Sequence, residues 1–181
     1  MTKFVNNKVP FTTLSYIPDD LVGVSSEFVY DAKWGVSTLS SVANTALQEM
    51  AEQYQKEFNQ KMTVVSAYRS YSYQAGIKAR WCPDNLCAKA WYSEHQSWLW
   101  VDFWSASSLS VWKNNPTLWK NYQWLANNAH LYGFHNTYQK GIEIDGYEIE
   151  PWHWRYLWVP LATHLKENDL TFAEFYNKYK K

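Results

Sequence analysis

The chain has no excess of either charge: Lys+Arg and Asp+Glu each number 17 in 181 residues, for a formal net charge of zero. That argues against recognition of nucleic acid through a basic surface, and no basic stripe with interleaved aromatics is present. No run of about 18 apolar residues occurs, so the sequence contains no transmembrane helix. The opening Met1-Thr2-Lys3-Phe4-Val5-Asn6-Asn7-Lys8 lacks an apolar h-region and does not read as a signal peptide. Internal repeats and low-complexity tracts are absent. There are two cysteines, Cys82 and Cys87, in the loop Cys-Pro-Asp-Asn-Leu-Cys. Without a second pair, a Cys-only zinc site is excluded. The loop is short and turn-rich. The two sulfurs either pair, which suits an oxidising compartment, or remain thiols, because spacing alone does not establish bridge geometry. Glycine is also scarce: there are 6, about half the usual share of roughly 7%, against 12 tryptophans.

Otherwise the composition is that of a folded domain, 46% apolar and 19% charged. This length predicts one domain, 1–181, with residues 1–37 as an irregular wrapping arm and 38–181 as the core. Phe4, Val9, Phe11, Tyr16, Leu21 and Val22 of the arm are expected to pack on that core. Val42, Ala43, Ala46, Leu47, Met50 and Tyr54 recur at helical spacing and predict a helix over 38–58. The β-branched run 62–68 predicts a buried strand, with Arg69 at its end and a short helix over 70–79 carrying Gln74. Leu99 to Trp104 alternates with period two, which puts Asp102 on the face opposite Val101, and His95 enters from the loop before it. A polar loop over 105–116, a helix over 117–131 ending at Gly133 and a strand over 134–138 follow. Asp145-Gly146 between 142–144 and 147–149 predicts a hairpin. Helices are expected over 160–167, with Pro160 in the first turn, and over 171–179, where Thr171 and Glu174 form a capping box.

Two stretches carry the chemistry. Ser93-Glu94-His95 through Asp102 places an imidazole and a carboxylate seven residues apart; Glu150-Pro151-Trp152-His153 supplies a second imidazole and a further carboxylate. Two histidines and one carboxylate suit Zn²⁺ and leave a fourth position for water. A spare glutamate beside that water is what a metallohydrolase needs as general base. Pro151 interrupts strand alternation, so the faces of Glu150 and His153 are not assigned by period. His130 is expected near a helix C-terminus, where a cation meets the dipole. His135 and His164 read as surface residues, and Glu143, Asp145 and Glu148 as the solvated face and turn of the hairpin.

The pattern Ser93-x-His95-x6-Asp102 followed by Glu150-x-x-His153 resembles the zinc D-alanyl-D-alanine carboxypeptidase family of the VanY type, which shares its fold with the hedgehog signalling domain and some phage endolysins. The resemblance extends to Asn6–Val22, to Ser66–Tyr71 with Gln74, to Trp124–Phe134 and to Leu170–Tyr176. It implies an α+β fold, a small, mostly antiparallel sheet flanked by helices. It implies one Zn²⁺ held by His95, Asp102 and His153, Glu150 as the proton-transferring base, and Arg69 facing the scissile carbonyl to stabilise the oxyanion. Ser93 and Gln74 become substrate contacts; Trp152 either lines the pocket or packs in the core. The implied activity is hydrolysis of the terminal D-Ala-D-Ala bond of peptidoglycan stem peptides by a monomer in the cell envelope or periplasm. The alternatives are an L,D-carboxypeptidase or an endolysin-type peptidase acting on the same wall peptides.

The resemblance breaks at tryptophan. Trp91, Trp98, Trp100, Trp104 and Trp158 stand where that family prefers glycine, a residue that permits positive φ and close backbone approach. Either UGA codons read as glycine in the source organism have been written as tryptophan, or the site is remodelled. In the second case the alternative is a non-catalytic, zinc-bearing wall-binding module, because Trp98 and Trp100 would crowd the zinc-bound water. Trp124, Trp152 and Trp154 match tryptophans of the family, and Trp34, Trp81 and Trp112 stay unassigned.

Overall fold

A computed structural model describes residues 4–11, 18–80, 82–84, 87–104 and 108–179; Tyr16 and Trp81 lie outside them. The longest element is helix α1, Ser41–Phe58. Ala43, Leu47, Met50 and Tyr54 fall on one stripe and are buried. The helix predicted from residue 38 starts later, because Thr38–Ser40 (β3) pairs antiparallel with Leu21–Gly23 (β1). The N-cap therefore moves to Ser40, whose hydroxyl accepts the Ala43 N–H. Asn59 ends the helix in the left-handed region at φ 52°.

The stripe packs into one apolar cluster with Val64, Val101, Phe103 and Phe134. These side chains come from a five-stranded sheet containing Val29–Asp31 (β2), Met62–Ser66 (β4), Trp100–Phe103 (β5), Phe134–Asn136 (β6) and His153–Tyr156 (β7), ordered β2-β4-β5-β7-β6. Only β2 and β4 are parallel; the other pairings are antiparallel. The architecture is α+β. The N-terminal stretch is less irregular than expected, since it supplies β1 and the edge strand β2. Val22 is exposed rather than packed. Phe4 does pack, stacking on Tyr176 at 4.1 Å within a second cluster that includes Leu165 and Phe172.

The remaining helices are α2 (Tyr71–Lys78), α3 (Leu109–Asn114), α4 (Pro116–Asn128), α5 (Ile142–Asp145), α6 (Val159–Glu167) and α7 (Phe172–Tyr179). Part of the stretch expected as the loop 105–116 is helix α3. Ser108 caps it by accepting the Val111 N–H, and Trp112 anchors it with no exposed surface. The predicted hairpin over 142–149 does not form. Its Asp-Gly pair closes a single helical turn instead: Gly146 takes φ 88° and donates its N–H to Ile142. Asp145 is buried, not solvated, and its carboxylate accepts the Lys140 N–H at 2.7 Å. His135 is likewise buried on β6, where desolvation pushes it down to about 3. His130 follows α4 as expected, but burial and Lys166 lower its pKa, so the expected cation at the dipole is disfavoured. The α7 capping box is present: Glu174 accepts the Thr171 N–H, and Thr171 accepts the Glu174 N–H.

Candidate active site

Strand register brings the two sequence stretches together. Asp102 on β5 lies directly opposite His153 on β7, and Ser66 on β4 opposes Asp102 from the other side. His95 sits in a 3-10 turn, Glu94–Ser97, just before β5. One donor atom from each of His95, Asp102 and His153 lies within 4.8 Å of the others, and all three residues are buried. Arg69, just beyond the end of β4, reaches Asp102 with its Nη2 3.2 Å from Oδ2. Glu150 Oε2 is 3.6 Å from His153 Nδ1. These residues, with Gln74 and Trp152, line a cavity of about 340 Å³.

The hydrogen bonds define what this cluster can hold. His95 Nδ1 is 2.7 Å from the Ala67 carbonyl, which only accepts, so this nitrogen carries the proton and Nε2 presents a lone pair. That lone pair faces Asp102 Oδ2 at 3.2 Å. His153 Nδ1 receives the indole N–H of Trp100 at 2.6 Å, so it too is an acceptor, yet it lies 2.8 Å from Asp102 Oδ1. Burial drives His153 down to about 3 and also lowers His95, favouring neutral imidazoles. Burial opposes ionisation of Asp102, yet its carboxyl is held well below its ordinary range, and the Arg69 guanidinium lies against the ionised oxygen. Three acceptors thus lie within 4.8 Å of one another. Neutral imidazoles and a carboxylate in this arrangement suit a divalent cation, and zinc in particular. The Trp100 indole N–H and the Arg69 guanidinium are the positive hydrogens aimed at these acceptors here.

Glu150 is pushed up to about 8, by burial first and by the neighbouring Asp102 charge second. A cation between the ligands would draw it back down. Arg69 is held from three directions: Nε donates to Ser66 Oγ at 3.0 Å, Nη1 to Gln74 Oε1 at 3.5 Å, and Nη2 to Asp102. Gln74 is itself fixed by donating Nε2–H to the Ala88 carbonyl at 2.7 Å. Ser93 is buried at the cavity wall. Trp152 is half-buried, touching both the cavity and the Trp112 ring at 6.2 Å. Cys82 and Cys87 form a disulfide, and Cys87 borders the cavity.

Sequence reasoning assigned no role to Glu94, Tyr138 or Arg155. Arg155 donates from Nη1 to Glu94 Oε1 at 2.6 Å in a fully buried pair, and Thr137 donates to the other Glu94 oxygen. That same oxygen is 3.8 Å from His153 Nε2. Tyr138 stacks on the His153 ring at 4.4 Å. A glutamate between Ser93 and His95 carries no local signal of this; only folding brings β7 beside it.

A sequence model of the VanY family, described as D-alanyl-D-alanine carboxypeptidase, matches residues 36–159. The chain belongs to the VanY family. It is 33% identical over 175 residues to YodJ of Bacillus subtilis (strain 168), a protein named as a carboxypeptidase; the match covers 92% of this chain and 64% of YodJ. The chain therefore spans less than two thirds of that relative's length. Among solved structures it superimposes on the LD-carboxypeptidase LdcB with a TM-score of 0.78 and 30% identity, over 98% of this chain and 85% of that one. A vancomycin-resistance D,D-pentapeptidase VanY in complex with Zn(II) shares the fold at a TM-score of 0.69 and 23% identity, over 97% of each chain.

Proposed function

We propose that this VanY-family chain is a zinc-dependent carboxypeptidase that hydrolyses the terminal D-Ala-D-Ala bond of peptidoglycan stem peptides, acting in the cell envelope. The observation that carries this reading is the convergence of His95, Asp102 and His153 within 4.8 Å on the wall of a cavity that Glu150 and Arg69 also face. His95, Asp102 and His153 would hold one zinc ion, which when bound polarises a carbonyl and acidifies water. Glu150 takes a proton from the attacking water. The water oxygen bonds to the scissile carbonyl carbon, and Arg69 meets the negative charge that develops on the carbonyl oxygen. As the C–N bond breaks, Glu150 returns the proton to the leaving amine, releasing D-alanine and a shortened peptide carboxylate. Gln74, oriented by Ala88, and Ser93 line the same cavity and would contact the substrate's backbone or terminal carboxylate, with Trp152 as an apolar wall.

A second reading, cleavage of the bond before a single terminal D-alanine, is favoured by the likeness to LdcB, an LD-carboxypeptidase. The test uses protein purified from the cells that make it, incubated with stem peptides ending in D-Ala-D-Ala or in one D-Ala, with products read by mass spectrometry. The first reading expects one D-alanine lost from the longer peptide and none from the shorter. Loss from the shorter selects the second reading. Zinc bound without cleavage of either favours a binding module. Glu150→Gln should lower turnover by roughly 10²–10⁴-fold with zinc content unchanged; unaltered turnover rules Glu150 out as the base.

A further inference from the structure

Among the described residues, seven non-glycine positions have positive φ, and five are tryptophan: Trp34 at 63°, Trp91 at 77°, Trp98 at 50°, Trp104 at 51° and Trp158 at 63°. The other two, Asn59 and Asp169, are residue types that enter this region readily. A bulky side chain there is a steric outlier. Trp158 is the most extreme: with ψ at 152° it occupies a region essentially confined to glycine. Nor is this strain confined to the site, since Trp34 is 92% exposed. At these five positions the backbone has the geometry of glycine. Trp124 and Trp154 have no such backbone, and their indoles donate to Glu57 and to the Pro151 carbonyl.

Trp100 conflicts in a different way. Its backbone is ordinary strand, but two residues from Asp102 it shares that ligand's face. Its ring centroid lies 3.6 Å from that of His153, and its N–H takes the His153 Nδ1 lone pair. A metal cannot use that lone pair while the indole holds it.

We infer that residues 34, 91, 98, 104 and 158 are glycine in the protein as its source organism makes it, and residue 100 with them. The six positions correspond to UGA codons decoded there as glycine and written here as tryptophan. The consequence for residue 100 rests on the metallopeptidase reading: loss of the indole frees His153 Nδ1 and opens the cation position.

Tandem mass spectrometry of peptides from the natural protein tests the assignment without depending on folding or activity. Glycine at all six positions, with tryptophan at 124, 152 and 154, is the expected result; tryptophan at the five left-handed positions overturns the inference. The role of residue 100 is tested by equilibrium dialysis against zinc on two recombinant chains. One has glycine at all six positions and the other at every position but 100. The first should bind one zinc per chain at least tenfold more tightly, and equal affinity overturns the blocking role of Trp100. If the peptides carry glycine but the six-glycine chain takes up no zinc, the assignment stands and the metallopeptidase reading falls.

Discussion

Replacing a tryptophan by glycine almost always destabilises a protein; Trp34→Gly should do the opposite. Trp34 is 92% exposed, so its side chain buries almost nothing. Its φ is 63°, followed by Gly35 at 81°, in a turn where its N–H donates to the Asp31 carbonyl at 3.2 Å. Holding an L-residue in the left-handed region costs roughly 1–2 kcal/mol that glycine avoids. Against this, glycine widens the unfolded ensemble by about 0.4–1 kcal/mol. The balance is a net stabilisation of about 0.5–1 kcal/mol. For a chain of this size each kcal/mol moves Tm by roughly 2–4 °C, so Tm should rise by about 1–4 °C. The assay is thermal unfolding by circular dichroism in the presence of a chelator, which removes metal linkage from the comparison. Trp34→Ala is the control: it removes the indole but keeps the Cβ that causes the strain, so it should gain little. A lower Tm for Trp34→Gly, or an equal gain for Trp34→Ala, would refute the backbone argument.

At Gly133 the opposite substitution is costly. A Cβ there would lie 2.7 Å from Tyr156 Cε2 and 3.0 Å from the Trp158 carbonyl carbon, at φ 82°; denaturant unfolding of Gly133→Ala should show a loss of roughly 2–5 kcal/mol from overpacking and left-handed strain. Glu94→Gln breaks a buried ion pair with Arg155 at 2.6 Å and should cost about 3–5 kcal/mol in the same assay; a loss below about 1 kcal/mol would mean the pair is not formed. Burial holds His135 at about 3, below its unfolded value of roughly 6.5. The unfolded chain therefore binds the extra proton first, and stability falls by up to about 1.4 kcal/mol per unit as pH drops from roughly 6.5 towards 3. Above that window His135 contributes no slope. His135→Gln should flatten the acid limb measured by urea unfolding at each pH, and an unchanged limb would place the acid sensitivity elsewhere.

Where the sequence was legible, a local rule agreed with the tertiary outcome. The stripe from Ala43 to Tyr54 is buried because its 3.6-residue period matches a one-sided helix. The Thr171/Glu174 box forms because its hydrogen bonds lie within one turn. Legibility failed where a distant partner overrode the local signal. Residues 38–40 pair with β1 instead of extending α1. At Asp145 the competitor is itself local: its carboxylate accepts the Lys140 N–H, and the Asp-Gly pair ends a helical turn rather than reversing a hairpin. His135 reads as a surface residue but belongs to a fully buried strand.

By itself the sequence determined the chemistry on offer: two imidazoles, a carboxylate and a spare glutamate in a spacing shared with the VanY family. Donor types are a property of the residues and survive any arrangement of the chain. Tertiary structure alone decided how they meet. The β5–β7 register sets Asp102 opposite His153, the Ala67 carbonyl selects the His95 tautomer, and the Glu94–Arg155 pair lies behind His153. It also showed which tryptophans sit on a glycine backbone, because φ depends on where the whole fold leads the chain and not on the residue written at that position.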